Sequence, residues 1–256
     1  VKSAQQIMGA RGLYDKDIYI VKKQGHELKV IYLKSCRRAG LEDICEYSAK
    51  NSMNSIKLEN NISRARSRIK EYALQNEWHS FATLTLNKEK YDRYDLKNYH
   101  KDLSKFINNY NRSLPDDEKV KYLLIPEMHK DGAWHMHGLL KGIQKQDMIT
   151  NSNGYQTWIQ YQKKFGYISF SPINDISSCS NYILKYIGKG FGVDVQSLGS
   201  HLYYSSKGLA RADIKYKGFN LRLLCAWDYE SEDGFCKIKT IDLRYQNPSD
   251  YLELLE

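Results

Sequence analysis

The chain has 256 residues, 41% hydrophobic and 27% charged, an ordinary globular balance with enough length to bury a substantial core. Lys and Arg total 39 against 30 Asp and Glu, and the formal net charge of +9 points to a polyanionic partner, most simply nucleic acid, over a basic protein with no such partner. No apolar run approaches the roughly 20 residues of a membrane span, so no membrane partner is expected.

The opening VKSAQQIMGARG lacks the apolar centre of a signal peptide, and lacks an initiator Met as a processed or trimmed chain would. Residues 17–34 predict two strands around a turn at Gly25. Residues 55–76 predict a helix, with Ile62, Ala65, Ile69 and Ala73 at helical spacing. Arg64, Arg66, Arg68 and Lys70 make it strongly basic, either as a solvated face or as a surface that tracks phosphates. FATLTLN at 81–87 falls in a strand pattern over 79–87. Residues 94–112 predict an amphipathic helix carrying Leu96, Tyr99, Leu103, Phe106 and Ile107, and 113–119 a loop. VKYLLIPEM and AWHMHGLL then read as a hairpin across HKDG, 166–173 as a strand, and 175–190 as a helix capped by Asp175 and ended by Gly190. HLYYSSKGLAR at 201–211 predicts a strand and a basic turn. The irregular alternation and the central hairpin argue for α+β with an antiparallel sheet. The 21 tyrosines interleave with basic residues as single-stranded nucleic acid binding favours. Cys36, Cys45, Cys179, Cys225 and Cys236 form no CxxC pair, and an odd, scattered set fits a reducing compartment. The chain contains no GxxxxGK[ST] phosphate loop, hence no motor of that kind for unwinding DNA.

Two constellations carry chemistry. On a strand, His135 and His137 project to one face with Met136 opposite. A three-residue turn at 130–132 places Glu127 across from His135 on that same face, so two imidazoles and a carboxylate converge as ligands for a divalent cation. The bland alternative is a pair of hydrogen-bonded sheet histidines; His129 falls in the turn. In NYILKYIGKG at 181–190, Tyr182, Lys185, Tyr186 and Lys189 share an arc of about 100° on a helix. A tyrosine hydroxyl, with a reference pKa of about 10, needs a base, a cation or a lysine beside it before it can attack. The alternative is an amphipathic helix with packed tyrosines and solvated lysines.

Together these segments resemble the HUH endonucleases, and more narrowly the two-tyrosine rolling-circle replication initiators (Rep proteins) of phages and plasmids. FATLTLN resembles their first motif, EMHKDGAWHMHGLL at 127–140 their metal motif, and YILKYIGK at 182–189 their YxxKYxxK motif, in the family's order. The resemblance implies a ferredoxin-like Rep endonuclease core: an antiparallel sheet flanked by helices, with the histidine strand central. It implies Mg²⁺ or Mn²⁺ held by Glu127, His135 and His137, and attack by Tyr186 or Tyr182, with Lys185 and Lys189 beside them, on single-stranded origin DNA. The expected product is a 5′-phosphotyrosyl enzyme with a free 3′-hydroxyl, which a polymerase extends. The register slightly favours Tyr186 as first nucleophile. Host helicase and polymerase are the implied partners, in the cytoplasm of a bacterial host. On this reading residues 76–190 are the endonuclease core, 1–75 a hairpin and basic helix packed as an extension, and 191–256 a C-terminal extension of the same globule. Rivals are a two-tyrosine transposase, a relaxase (disfavoured because its tyrosine lies near the N-terminus and its third ligand is histidine) and a non-enzymatic nucleic-acid-binding module.

Overall fold

A computed structural model describes residues 16–35, 55–150, 154–187, 201–232 and 234–255. In chain order the elements are β1 (Ile18–Gln24), β2 (Glu27–Leu33), α1 (Ser55–Gln75), β3 (Ser80–Leu86), α2 (Leu96–Tyr110), β4 (Lys121–Met128), β5 (Trp134–Lys141), β6 (Met148–Thr150), β7 (Gln156–Trp158), α3 (Ile159–Lys164) and β8 (Gly166–Pro172). There follow α4 (Ile176–Ile183) with a 3₁₀ turn (Leu184–Tyr186), then β9 (Tyr204–Ser205), β10 (Asp213–Gly218), β11 (Leu221–Leu223), β12 (Tyr229–Glu230), β13 (Cys236–Asp242) and β14 (Leu252–Leu254). The protein is α+β with antiparallel sheets, as the alternation of patterns predicts.

The chain divides into two compact units, residues 64–210 and residues 1–63 with 211–256. In the first, five strands run in the order β8-β3-β5-β4-β9, so the histidine strand β5 is central. Each face has its own helix. Tyr122 lies on the face of β4 opposite Glu127, and its hydroxyl meets Ser104 of α2 at 3.4 Å. Helix α2 therefore covers the face opposite the histidines, burying Leu96, Tyr99, Leu103 and Ile107 at helical spacing. Asp95 caps it by accepting from the Asn98 N–H at 2.9 Å, an interaction worth about 1 kcal/mol. Covered on both faces, β4 buries every residue from Tyr122 to Pro126.

The β4–β5 hairpin turns on the three residues 130–132. Its closing bonds run from His129 N–H to Ala133 C=O and from Gly132 N–H to His129 C=O, both 2.9 Å. Gly132 has φ +82°, the left-handed conformation such a loop needs at this position. Gly138, directly after the histidine pair, serves a different need: a Cβ there would stand 1.9 Å from the Leu123 carbonyl oxygen, so only glycine lets β4 approach so closely.

In the second unit the strand order is β10-β1-β2-β13-β12, and β11 pairs with β14. The chain's two flanks, expected as an N-terminal and a C-terminal extension, thus share one sheet: Val21 pairs with Tyr216 and Val30 with Lys239. Strands β1 and β2 turn at Gly25, as the sequence predicts.

Candidate active site

Glu127 pairs with His135 across β4 and β5, and Ile125 with His137. On the other side of β5, Thr85 pairs with His135 and Thr83 with His137. One sheet face thus carries Glu127, both histidines and both threonines. Each threonine hydroxyl lies 3.1 Å from the Nδ1 of its histidine, Thr83 with His137 and Thr85 with His135. With Nδ1 occupied on both rings, Nε2 is the nitrogen each presents to anything bound on this face.

His137 is 8% exposed. Its Nε2 lies 2.8 Å from Glu127 Oε2, yet the pair lacks hydrogen-bond geometry and the buried nitrogen has no hydrogen-bond partner. Two donors this close, neither aimed at the other, suit a shared cation better than a hydrogen-bonded pair. Burial, chiefly, holds the His137 pKa below the ordinary imidazole value. Burial together with the neighbouring His129 and His137 lowers His135 to about 4. Both rings are therefore neutral at neutral pH, the form in which imidazole binds metal. Among the described residues no three His, Cys, Asp or Glu side chains are gathered into a finished metal cage. The donor types, the free Nε2 and the threonine supports fit a divalent cation; the third donor, His135, shares the face without being drawn to the Glu127–His137 pair.

Helix α4 starts at Asp175, which accepts from the Ser178 N–H at 2.8 Å. The helix expected over 175–190 keeps α-geometry only to Ile183 and then tightens into the 3₁₀ turn, where the Ile187 N–H bonds to the Leu184 carbonyl at 3.1 Å. Final turns often tighten in this way because their carbonyls lack partners further along the helix. Buried Ile183 and Ile187 anchor the segment and leave Tyr182 and Tyr186 over the histidine face. The Tyr186 ring stacks on His137 with centroids 4.3 Å apart and planes 8° from parallel. Tyr182 meets Phe81 edge-on at 5.5 Å. The Tyr186 hydroxyl donates to that of Tyr182 at 2.9 Å. Lys185 Nζ sits 5.4 Å over the Tyr182 ring. Lys189 lies outside the described residues. Burial, the bond to Tyr182 and the charge on Glu127 push the Tyr186 pKa above its ordinary value, so this hydroxyl needs a positive charge nearby before it can attack.

His129, in the turn, stacks on His135 with centroids 3.7 Å apart. The basic residues of α1 do not form one stripe. At 100° per residue, Arg64 and Arg68 flank the buried line of Ala65 and Ile69 on one side, and Arg66 and Lys70 on the other. Arg64 and Arg66 are exposed, whereas Arg68 bonds Glu71 at 3.1 Å.

Sequence reasoning did not single out Thr83 and Thr85. A signal was present, since T-x-T in 83–85 repeats with the period of H-x-H in 135–137; what it lacks is the β3–β5 register that puts one beside the other.

Comparison with known proteins bears on this same segment. Residues 79–191 match a family model of replication-associated proteins, the ORF2 type. That stretch holds Glu127, both histidines, both threonines and both tyrosines, and the match is consistent with a replication initiator. No curated protein and no solved structure matches the chain.

Proposed function

We propose that the protein initiates rolling-circle replication by nicking and rejoining single-stranded origin DNA through a tyrosine. The observation that carries this reading is the Tyr186 ring stacked 4.3 Å from His137, whose Nε2 lies 2.8 Å from Glu127. A tyrosine nucleophile and a paired imidazole and carboxylate belong together where a phosphodiester is to be held and attacked. Glu127, His135 and His137 would hold Mg²⁺ or Mn²⁺, which supplies a Lewis acid for the phosphoryl oxygens and a positive charge to lower the tyrosine pKa.

The Tyr186 oxygen attacks phosphorus, the bond from phosphorus to the 3′ oxygen breaks, and the departing 3′ oxygen takes up a proton. The hydrogen bond from Tyr186 to Tyr182, which is 46% exposed, gives the tyrosine proton a path toward solvent. One phosphodiester replaces another, so rejoining requires no ATP. Tyr182 is close enough to take the second transfer while Tyr186 remains linked to DNA. Lys185 beside them offers a cation to the phosphate. The sequence contains no phosphate loop of the NTPase kind, so strand separation falls to a host helicase and extension of the 3′-hydroxyl to a host polymerase.

Incubation with single-stranded DNA from the parent replicon and Mn²⁺ tests the reading. The expected products are a 3′-hydroxyl fragment that a polymerase extends and a 5′ end attached to protein. Free 5′-phosphate ends without adduct would indicate a hydrolytic nuclease, and binding without cleavage a non-enzymatic module.

A further inference from the structure

Next to the histidines, on the same sheet face, lies a cavity of about 250 Å³ lined by Thr83, Thr85, Ile149, Tyr155, Thr157, Gln162, Tyr167, Ile168 and Ser169. We propose that it receives one unpaired base of the DNA strand whose phosphate is cleaved, stacked on Tyr167 and Tyr155, and so sets sequence preference beside the nick. The inference rests on the proposed nicking reaction and extends it to a base subsite.

Three observations carry it. First, the cavity is continuous with the site. Tyr167 pairs with Thr85 and Ser169 with Thr83, the two threonines that hold the histidines. The row Tyr167, Thr85, His135, Glu127 crosses four adjacent strands. Tyr167 is thus two strand spacings, roughly 10 Å, from His135, a span that one or two nucleotides of extended strand cover. Second, the lining contains no Lys, Arg, Asp or Glu. A phosphate would meet no cation there, whereas an uncharged heteroaromatic ring would meet hydroxyls from Thr83, Thr85, Thr157 and Ser169 and the amide of Gln162, which supply both donors and acceptors. Third, Tyr155 and Tyr167 are 62% and 61% exposed, an unusual degree for two aromatic rings at one cavity unless a ring is to lie on them.

The test uses the full-length protein and single-stranded oligonucleotides from its replicon that span the nick, with 5-iodouracil or an abasic residue placed at each position in turn. Irradiation should cross-link one position near the cleaved phosphate to Tyr155 or Tyr167. An abasic residue at that position should weaken wild-type binding about ten-fold, and Tyr167→Ala should lose as much affinity for the intact strand while becoming indifferent to the abasic change. Tyr167→Phe, which keeps the ring, should bind as wild type does. Cross-links at neither tyrosine, or an abasic penalty unchanged in Tyr167→Ala, would overturn the subsite. Adduct formation on the same oligonucleotides reads the nicking reaction separately: adduct without cross-link removes the subsite alone, and cross-link without adduct leaves a base site while removing the chemistry proposed for its neighbour.

Discussion

The two units are each built on a five-stranded antiparallel sheet, yet they treat their polar residues differently. In residues 64–210 the sheet is covered on both faces, and this unit holds 29 of the 35 buried apolar side chains among the described residues. In the other unit the buried apolar residues are Val21, Leu28, Val30, Leu221, Phe235 and Ile241, and strand β13 is half-buried at all but Ile241. Charge is divided unevenly too: 21 Lys and Arg against 14 Asp and Glu in the first unit, 18 against 16 in the second. A polar residue on a wet face needs no explanation. On a covered face it costs desolvation unless something satisfies it. His137, with an orphaned Nε2 under Tyr186, is therefore informative in a way that a lysine of β13 is not.

The contrast should be easiest to break at the histidines. Replacing His135 and His137 together with Ala should abolish metal-dependent cleavage and leave most DNA affinity, which phosphate contacts supply. Trp227→Ala, an equally large truncation in the other unit, should leave adduct formation on a short oligonucleotide within about two-fold of wild type, since that side chain lies outside the unit holding the site. Loss of cleavage in Trp227→Ala would end the division of labour drawn here.

A smaller effect is expected one layer out. Thr83→Val with Thr85→Val removes both hydroxyls that hold the Nδ1 atoms at nearly constant volume. Metal affinity and nicking should each fall about 10- to 100-fold, the usual cost of losing such supports. Titration of Mn²⁺ against cleavage rate would read it, and a variant with unchanged metal dependence would make the threonines mere packing.

Helix α1 should matter less. Arg64→Ala and Arg66→Ala remove exposed charges and should weaken single-stranded DNA binding across sequences, lowering the salt slope by about 0.7 for each phosphate no longer neutralised. Arg68, engaged by Glu71, should contribute less than either. Binding isotherms at several salt concentrations would show this, and unchanged slopes would leave the helix a solvated face.

Smallest is a pH effect on stability. His135 is held near 4 and His137 below its ordinary range, so the unfolded chain binds protons that the native site refuses. The associated stability is complete above the ordinary histidine range and is lost as pH falls from about 6.5 toward 4. The thermal midpoint of metal-free protein should decline across that window, and His135→Gln should flatten part of the decline.

Much of the site is legible in the sequence because its determinants are local. H-x-H fixes one strand face, and Asp131-Gly132 fixes a three-residue turn, so the pairing of Glu127 with His135 follows without any distant interaction. The tyrosine pair, four residues apart, survives the change from α to 3₁₀ geometry because either places the two side chains near one another. What escapes is non-local. Thr85 meets His135 across 50 residues of sequence, through a register that no short motif encodes. The pairing of β2 with β13 joins segments some 200 residues apart whose strands carry no chemical signature. The early tightening at Leu184 depends on where Ile183 and Ile187 must bury, which helical spacing alone does not specify.

The most direct measurement of the central claim is the covalent adduct in Tyr182→Phe, Tyr186→Phe and the double variant. Phe keeps the stack on His137 and the edge packing against Phe81 while removing the hydroxyls. With single-stranded origin DNA and Mn²⁺, wild type should form an adduct whose label maps chiefly to Tyr186, each single variant should retain some nicking through the remaining hydroxyl, and the double variant should bind DNA and form none. An adduct that persists in the double variant would place the nucleophile elsewhere and contradict the account.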